Sequence, residues 1–239
     1  MSNIFTEKRV RYFAVITAEI FTLITAVMTV SNGNYADLPA VLATFALIFV
    51  PFIAEKILKC KISAAAYVFF VLYSLGPMLG DVYKLYYSTV WWDKALHAFG
   101  GIAFAWLGIY LLTLINKNGN SFVTEAVFAF CFSVAIAALW EFFEFTGDSL
   151  FGMDMQHDTV INAINSYLFG DSVGTVGSIE NITEVTVNGI PLPITGYIDI
   201  GLIDSMTDML WETAGALVIA AAHLFDRGKH PAFKAHNLR

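Results

Sequence analysis

Six apolar runs, each close to twenty residues long, alternate with polar stretches along the chain, at about 10–30, 38–58, 63–80, 94–115, 122–147 and 200–225. A helix rises about 1.5 Å per residue, so each run is long enough to cross a hydrocarbon layer of about 30 Å. One connection stands apart, because residues 148–200 are too many for a plain loop and require structure of their own. Within it, 158–169 has apolar residues at helical spacing and predicts a short interfacial helix, and 170–178 is glycine-rich and predicts irregular chain. Residues 182–187 alternate as a strand before Asn188-Gly189, a favoured two-residue hairpin turn, and 190–194 form the return strand. Pro191 and Pro193 restrict that return strand to an edge. The predicted fold class is an all-α integral membrane protein, a six-transmembrane helix bundle with a small extracytoplasmic cap containing a β-hairpin. It is read as one polytopic domain over residues 1–239, with the cap inserted at 148–199.

Composition agrees with that reading. Of 239 residues 57% are hydrophobic and only 14% charged, against about 25% charged in soluble domains. The mean hydropathy is +0.66. The distribution of basic residues sets an orientation. Lys8, Arg9 and Arg11 precede the first run, Lys56, Lys59 and Lys61 lie between the second and third, Lys117 lies between the fourth and fifth, and Arg227, Lys229, Lys234 and Arg239 follow the sixth. If the spans alternate, all of these share one face and leave Lys84 and Lys94 on the other, which predicts cytoplasmic N- and C-termini. The first run contains Glu19 and lacks a small-x-small cleavage site, so it is read as a mature span and not a signal peptide. A net charge of −7 excludes nucleic acid as a partner, because binding phosphates needs a basic face. Cys60 and Cys131 fall in different layers, which argues against a disulfide.

The candidate chemistry lies in the last run, which opens I-D-S-M-T-D-M-L-W-E-T-A-G at Ile203. Asp204, Asp208 and Glu212 recur every fourth residue and so stack within an arc of roughly 80° on one helix face. Asp93 and His97 form an i, i+4 pair at the start of the fourth run. Glu141, Glu144 and Asp148 share a face at the end of the fifth. With alternating spans, three helices present carboxylates and one imidazole at similar depth in the outer half of the membrane. The inner halves of these runs carry almost no further ionisable groups. A charge near the bilayer centre costs about 2.5–3.5 kcal/mol on insertion scales, and like charges gathered together also repel. Lys94 is the one basic side chain nearby in sequence, and a single lysine cannot neutralise the group. A divalent cation, protons or water must supply the rest. Oxygen ligands suit Mg²⁺, Mn²⁺ or Ca²⁺, and the imidazole also admits Zn²⁺ or Fe²⁺.

Weighed against this are plainer roles. Asp93, Asp148 and Asp204 stand at run ends, where acids can sit among headgroups. Gln156, His157 and Asp158 fit a solvated loop, and Gly100, Gly101, Gly108 and Gly215 fit close helix packing. Trp106, Trp140 and Trp211 fit packing or interface positions.

Three stretches resemble a known family: W-W-D-K-A-L-H-A-F-G-G at 91–101, A-L-W-E-F-F-E-F at 138–145 with Asp148, and G-Y-I-D-I-G-L-I-D-S-M-T-D-M-L at 196–210 followed by Gly215-Ala216. Together they resemble the YjdF-like family of bacterial inner-membrane proteins over roughly 91–222, and the resemblance implies a bacterial plasma membrane. A fainter likeness, through Asp93-Lys94, His97 and the acidic last helix, reaches the VanZ-like proteins of the cell envelope. It is too short to carry their association with glycopeptide-antibiotic tolerance across.

The leading function read from the residues is a metal-dependent hydrolase or transferase whose site opens to the outer leaflet and acts on a lipid or lipid-linked substrate. Asp93, His97, Asp148, Asp204, Asp208 and Glu212 are the candidate ligands, and Glu144 or Glu141 the general base. No Ser-His-Asp or Cys-His signature points to covalent catalysis. The alternatives are a cation- or proton-coupled transporter, and an envelope scaffold in which a metal clamps the cap to the bundle.

Overall fold

The computed structural model describes residues 2–59, 61–116, 118–227 and 229. Cys60, Lys117, Lys234 and Arg239, used above for redox and orientation, lie outside the described residues. Six helical stretches are long and apolar enough to cross a membrane, Glu7–Ser31, Tyr35–Ile57, Ala64–Asp81, Trp92–Ile115, Phe122–Phe151 and Leu202–Asp226, each close to its predicted run.

The first three crossings are α1 (Ser2–Ser31), α2 (Leu38–Ile48) with α3 (Val50–Leu58), and α4 (Ala64–Ser74) with α5 (Gly76–Asp81). The two interruptions have one cause. Pro51 and Pro77 lack the N–H that would reach the carbonyls of Leu47 and Tyr73, so the turn tightens just before each proline. Phe49 N then donates to Ala46 O at 3.2 Å and Leu75 N to Leu72 O at 3.2 Å, three residues back instead of four. At the far end of this group Arg11 Nη1 donates to Glu55 Oε1 at 2.8 Å, and the same oxygen accepts from Ile62 N at 2.7 Å. That pair holds α1, α3 and the start of α4 together.

After the single turn α6 (Leu85–Ser88), the other three crossings are α7 (Trp92–Ile115), α8 (Phe122–Phe151) and α9 (Leu202–Asp226). Ser121 caps α8 by accepting from Thr124 N at 3.0 Å. Helices α7, α8 and α9 pack closely against one another, α1, α2 and α4 form a second group, and α5 and α6 join that group to α7. The tightest approach is between α7 and α9. A Cβ on Gly101 would strike the Glu212 carbonyl, and one on Gly215 would strike the carbonyl of Ala98. These two glycines therefore let the backbones touch. Ser133 Oγ of α8 donates to Gly101 O at 3.2 Å at the same level.

Between α8 and α9 the chain forms three two-stranded antiparallel ribbons. β1 (Val160–Ile161) pairs with β6 (Tyr197–Ile198), β2 (Ile164–Ser166) with β3 (Gly177–Ile179), and β4 (Thr186–Val187) with β5 (Ile190–Pro191). The predicted hairpin is present, with Asn188 at φ 52° and Gly189 at φ 80°, the left-handed pair that a tight two-residue turn requires. The predicted interfacial helix over 158–169 is not. That stretch is rich in β-branched residues, Asn162 and Asn165 offer their side chains in place of helical bonds, and 160–161 find partners far along the chain at 197–198. The glycine-rich 170–178 is likewise only partly irregular, since its end enters β3.

Candidate functional site

The close crossing at Gly101 and Gly215 fixes what faces what. One to two turns before Gly101, α7 presents Asp93, Lys94 and His97. One to three turns before Gly215, α9 presents Asp204, Asp208 and Glu212. Both helices begin at the same end of the bundle, beneath the ribbons. Asp199 fixes the start of α9, accepting from Thr159 N at 2.8 Å and from Ile203 N at 2.6 Å, so the insert and the helix are tied by one carboxylate.

At the centre is Lys94. Its Nζ stands 3.1 Å from Asp93 Oδ2, 2.6 Å from Asp204 Oδ1 and 2.9 Å from Asp208 Oδ1. The lysine that looked insufficient in the sequence thus touches three of the carboxylates at once. The other oxygens of two of them face His97. Its Nε2 is 3.6 Å from Asp93 Oδ1 and 3.6 Å from Asp208 Oδ2, while its Nδ1 is 3.8 Å from Glu212 Oε2. These spacings exceed hydrogen-bond length. They match two ligands of one metal, which stand about 3.4 Å apart when each bond is about 2.1 Å in a tetrahedral shell. One oxygen of Asp93, one of Asp208 and a ring nitrogen of His97 all lie within 4.8 Å of one another. A second group of the same kind joins Asp93, Asp204 and His157.

His157 comes from the loop read above as solvated. Its backbone N donates to Asp204 Oδ2 at 3.1 Å and its ring lies against Tyr86 and Tyr87, at centroid distances of 5.4 and 6.1 Å. Next to it, Gln156 Nε2 donates to Ser205 Oγ of α9. Burial holds the Tyr86 phenol protonated, well above its ordinary value.

The remaining acids divide. Asp148, expected among the ligands, accepts from Met155 N at 2.6 Å and Gln156 N at 2.9 Å, and neither of the two metal-type groups contains it. It lies in the last turn of α8 and folds the next segment back, which is what carries Gln156 and His157 over the site. Glu212 is outside both groups as well, with Oε2 on the Nδ1 side of the imidazole. Glu144 Oε1 accepts from Trp140 Nε1 at 2.8 Å, so this tryptophan has a polar role beyond packing. Both oxygens of Glu141 and Oε1 of Glu212 are buried with no hydrogen-bond partner, although Ser205 stands near Glu141. Three unsatisfied carboxylate oxygens in a buried place are costly unless a proton or cation meets them. Within the first metal-type group Asp208 Oδ1 is also buried without a hydrogen bond and has only the ion pair with Lys94 at 2.9 Å, and on that observation a cation fits this group. Glu19 lies on α1, in the other helix group, also with a buried unpaired oxygen.

The other end of the same three-helix group holds a pair missing from the sequence reading. His223 Nε2 of α9 is 2.7 Å from Glu125 Oε2 of α8, and the imidazole is fully buried. A signal was available, since His223 lies 11 residues after Glu212 and so returns to within about 20° of the acidic stripe.

Comparison with known proteins places the chain in a family. The model of the family described as "Predicted membrane protein (DUF2238)" matches residues 13–229, and the chain belongs to that family. It is also similar to an uncharacterized protein of Thermotoga maritima, 27% identical over 108 residues, which are 43% of this chain and 54% of that protein's length. The chain therefore spans about half of that relative. No solved structure matches it.

Proposed function

We propose that this member of the DUF2238 family is a metal-dependent membrane enzyme, a hydrolase or transferase acting on a lipid or lipid-linked substrate. The observation that carries the reading is His97 Nε2 standing 3.6 Å from an oxygen of Asp93 and 3.6 Å from an oxygen of Asp208, with Lys94 holding the opposite oxygens of both acids. Asp93, His97 and Asp208 would hold one divalent ion, with Asp204 and His157 beside it. When bound, such an ion polarises an ester or phosphoryl oxygen or lowers the pKa of a water. Glu212 stands on the Nδ1 side of His97, while Nε2 faces the two aspartates. Lys94 offsets part of the negative charge that Asp93, Asp204 and Asp208 gather in a poorly hydrated place. Glu144, at the edge of an adjoining cavity, is placed to take a proton from a nucleophile, with Glu141 as the alternative base.

The same reading puts the site toward the outer leaflet of a bacterial inner membrane. Both termini are then cytoplasmic and the 148–199 insert is an extracytoplasmic cap, as the one-sided distribution of lysine and arginine supports. Transport gains one observation, the Glu125–His223 pair at the opposite end. Between Glu212 and His223, however, α9 buries only Gly215, Ala216 and Ala220, a gap of about 16 Å without a titratable group, which favours a one-sided site.

Metal analysis of the purified protein, after incubation with divalent cations and removal of excess, tests the reading. The expected result is one or two equivalents in the unaltered protein and loss of at least one in His97→Ala and in Asp208→Asn. Folded protein that takes up no metal, or variants that keep all of it, would overturn it.

A further inference from the structure

A cavity of about 370 Å³ lies where the two helix groups diverge, within the size range of small-molecule sites. Both proline interruptions border it: Leu47 and Val50 flank the break before Pro51, and Tyr73, Ser74 and Pro77 flank the other. Most of its wall is apolar, but one end carries Asp93, His97, Glu144 and Glu212. Its other side reaches the flank of the bundle. Leu47, Val50, Leu139 and Trp140 line the cavity and are each at least 40% exposed. In a six-span protein that flank meets acyl chains, so a ligand can enter sideways from the bilayer and must be apolar along most of its length.

The polar end selects the headgroup. Three carboxylates and one imidazole face the cavity, while Lys94, whose ammonium is held by Asp93, Asp204 and Asp208, is not among the lining residues. Glu212 is 97% buried and its Oε1 has no partner, so the wall presents an acceptor waiting for a donor. Tyr73, Tyr86 and Trp140 add aromatic faces beside the acids. Carboxylates with aromatic rings suit an ammonium group, by charge and by cation–π attraction, and repel an anion. We infer that the cavity binds an amphiphile with a cationic ammonium head, the head lying between Glu144 and Glu212 and the chain leaving past Leu139 and Trp140. The cavity shares Asp93 and His97 with the proposed metal site, and binding of the head does not need the metal to be present.

Quenching of tryptophan fluorescence by bromoalkyl probes tests this on the full-length protein in a neutral detergent with a chelator. Three probes share one bromododecyl chain and carry a trimethylammonium, a hydroxyl or a carboxylate head. Saturable quenching is expected with the ammonium probe at a concentration at least tenfold below that needed for the other two. Trp140→Phe should remove most of the saturable part, and Glu144→Gln with Glu212→Gln should raise the half-saturation at least tenfold for the ammonium probe alone. Equal response to the three heads, a preference for the carboxylate, or an absence of saturation would each overturn the inference. The three-probe comparison decides it even if the variants fold poorly. Because metal is measured separately, a protein that binds metal but not the ammonium probe sinks this inference alone.

Discussion

Lys94 and Asp204 are 110 residues apart in the chain, and their side chains meet at 2.6 Å across the α7–α9 crossing. The contact joins the first turn of one helix to the first turn of another. It brings a positive charge into a group of acids that would otherwise repel one another.

Replacing Lys94 by Met should therefore be strongly destabilising. Taking one partner from a buried ion group leaves uncompensated charge and costs about 3–5 kcal/mol. The thermal midpoint of the purified protein should fall, and added divalent cation should restore more of it in the variant than in the unaltered protein. A midpoint unchanged by Lys94→Met would mean that the acids do not depend on the ammonium.

The glycine contact makes a second prediction. Gly101→Ala and Gly215→Ala each place a methyl group against the opposing backbone. Each should cost about 1–3 kcal/mol through overpacking. Because the crossing sets the distance from His97 to Asp208, metal uptake should fall with it, whereas Gly119→Ala, strained by its backbone at φ 87° but in the loop between α7 and α8, should leave uptake intact. Full metal content in Gly101→Ala would separate the crossing from the site.

The insert makes a third. His157→Ala removes the ring that lies against Tyr86 and Tyr87, a loss of about 0.5–1.5 kcal/mol of local packing. Limited proteolysis should then cut within 152–201 faster, while the six spans keep their resistance. An unchanged cleavage rate would show that the insert is held by Asp148 and Asp199 without help from the histidine.

The fourth concerns the opposite end. His223→Leu leaves the Glu125 carboxylate without its imidazole and should cost about 3 kcal/mol, with part of the loss recovered by also making Glu125→Leu. Metal content should not change in either protein. A drop in metal on His223→Leu would instead couple the two ends and revive the transport reading.

Much of this molecule follows from local chemistry along the chain. Spans follow from runs of apolar residues because the hydrocarbon layer has a fixed thickness and each helix satisfies its own backbone. The stripe of Asp204, Asp208 and Glu212 follows from helical period alone, and the Asn188-Gly189 turn from the few residues that adopt left-handed backbone. Tertiary structure decided the rest. Asp148 looked like one more acid on α8, and only the path of the chain beyond Gly152 shows both its oxygens taken by Met155 and Gln156. Residues 160–161 read as helix because their strand partner, at 197–198, is too distant for any periodicity to register. Lys94 looked like a lone cation until two glycines let α7 and α9 touch, which places one ammonium among three aspartates. Helical phase tells which side chains share a face. How close two faces come, and what charge meets them there, depends on packing between segments far apart in sequence.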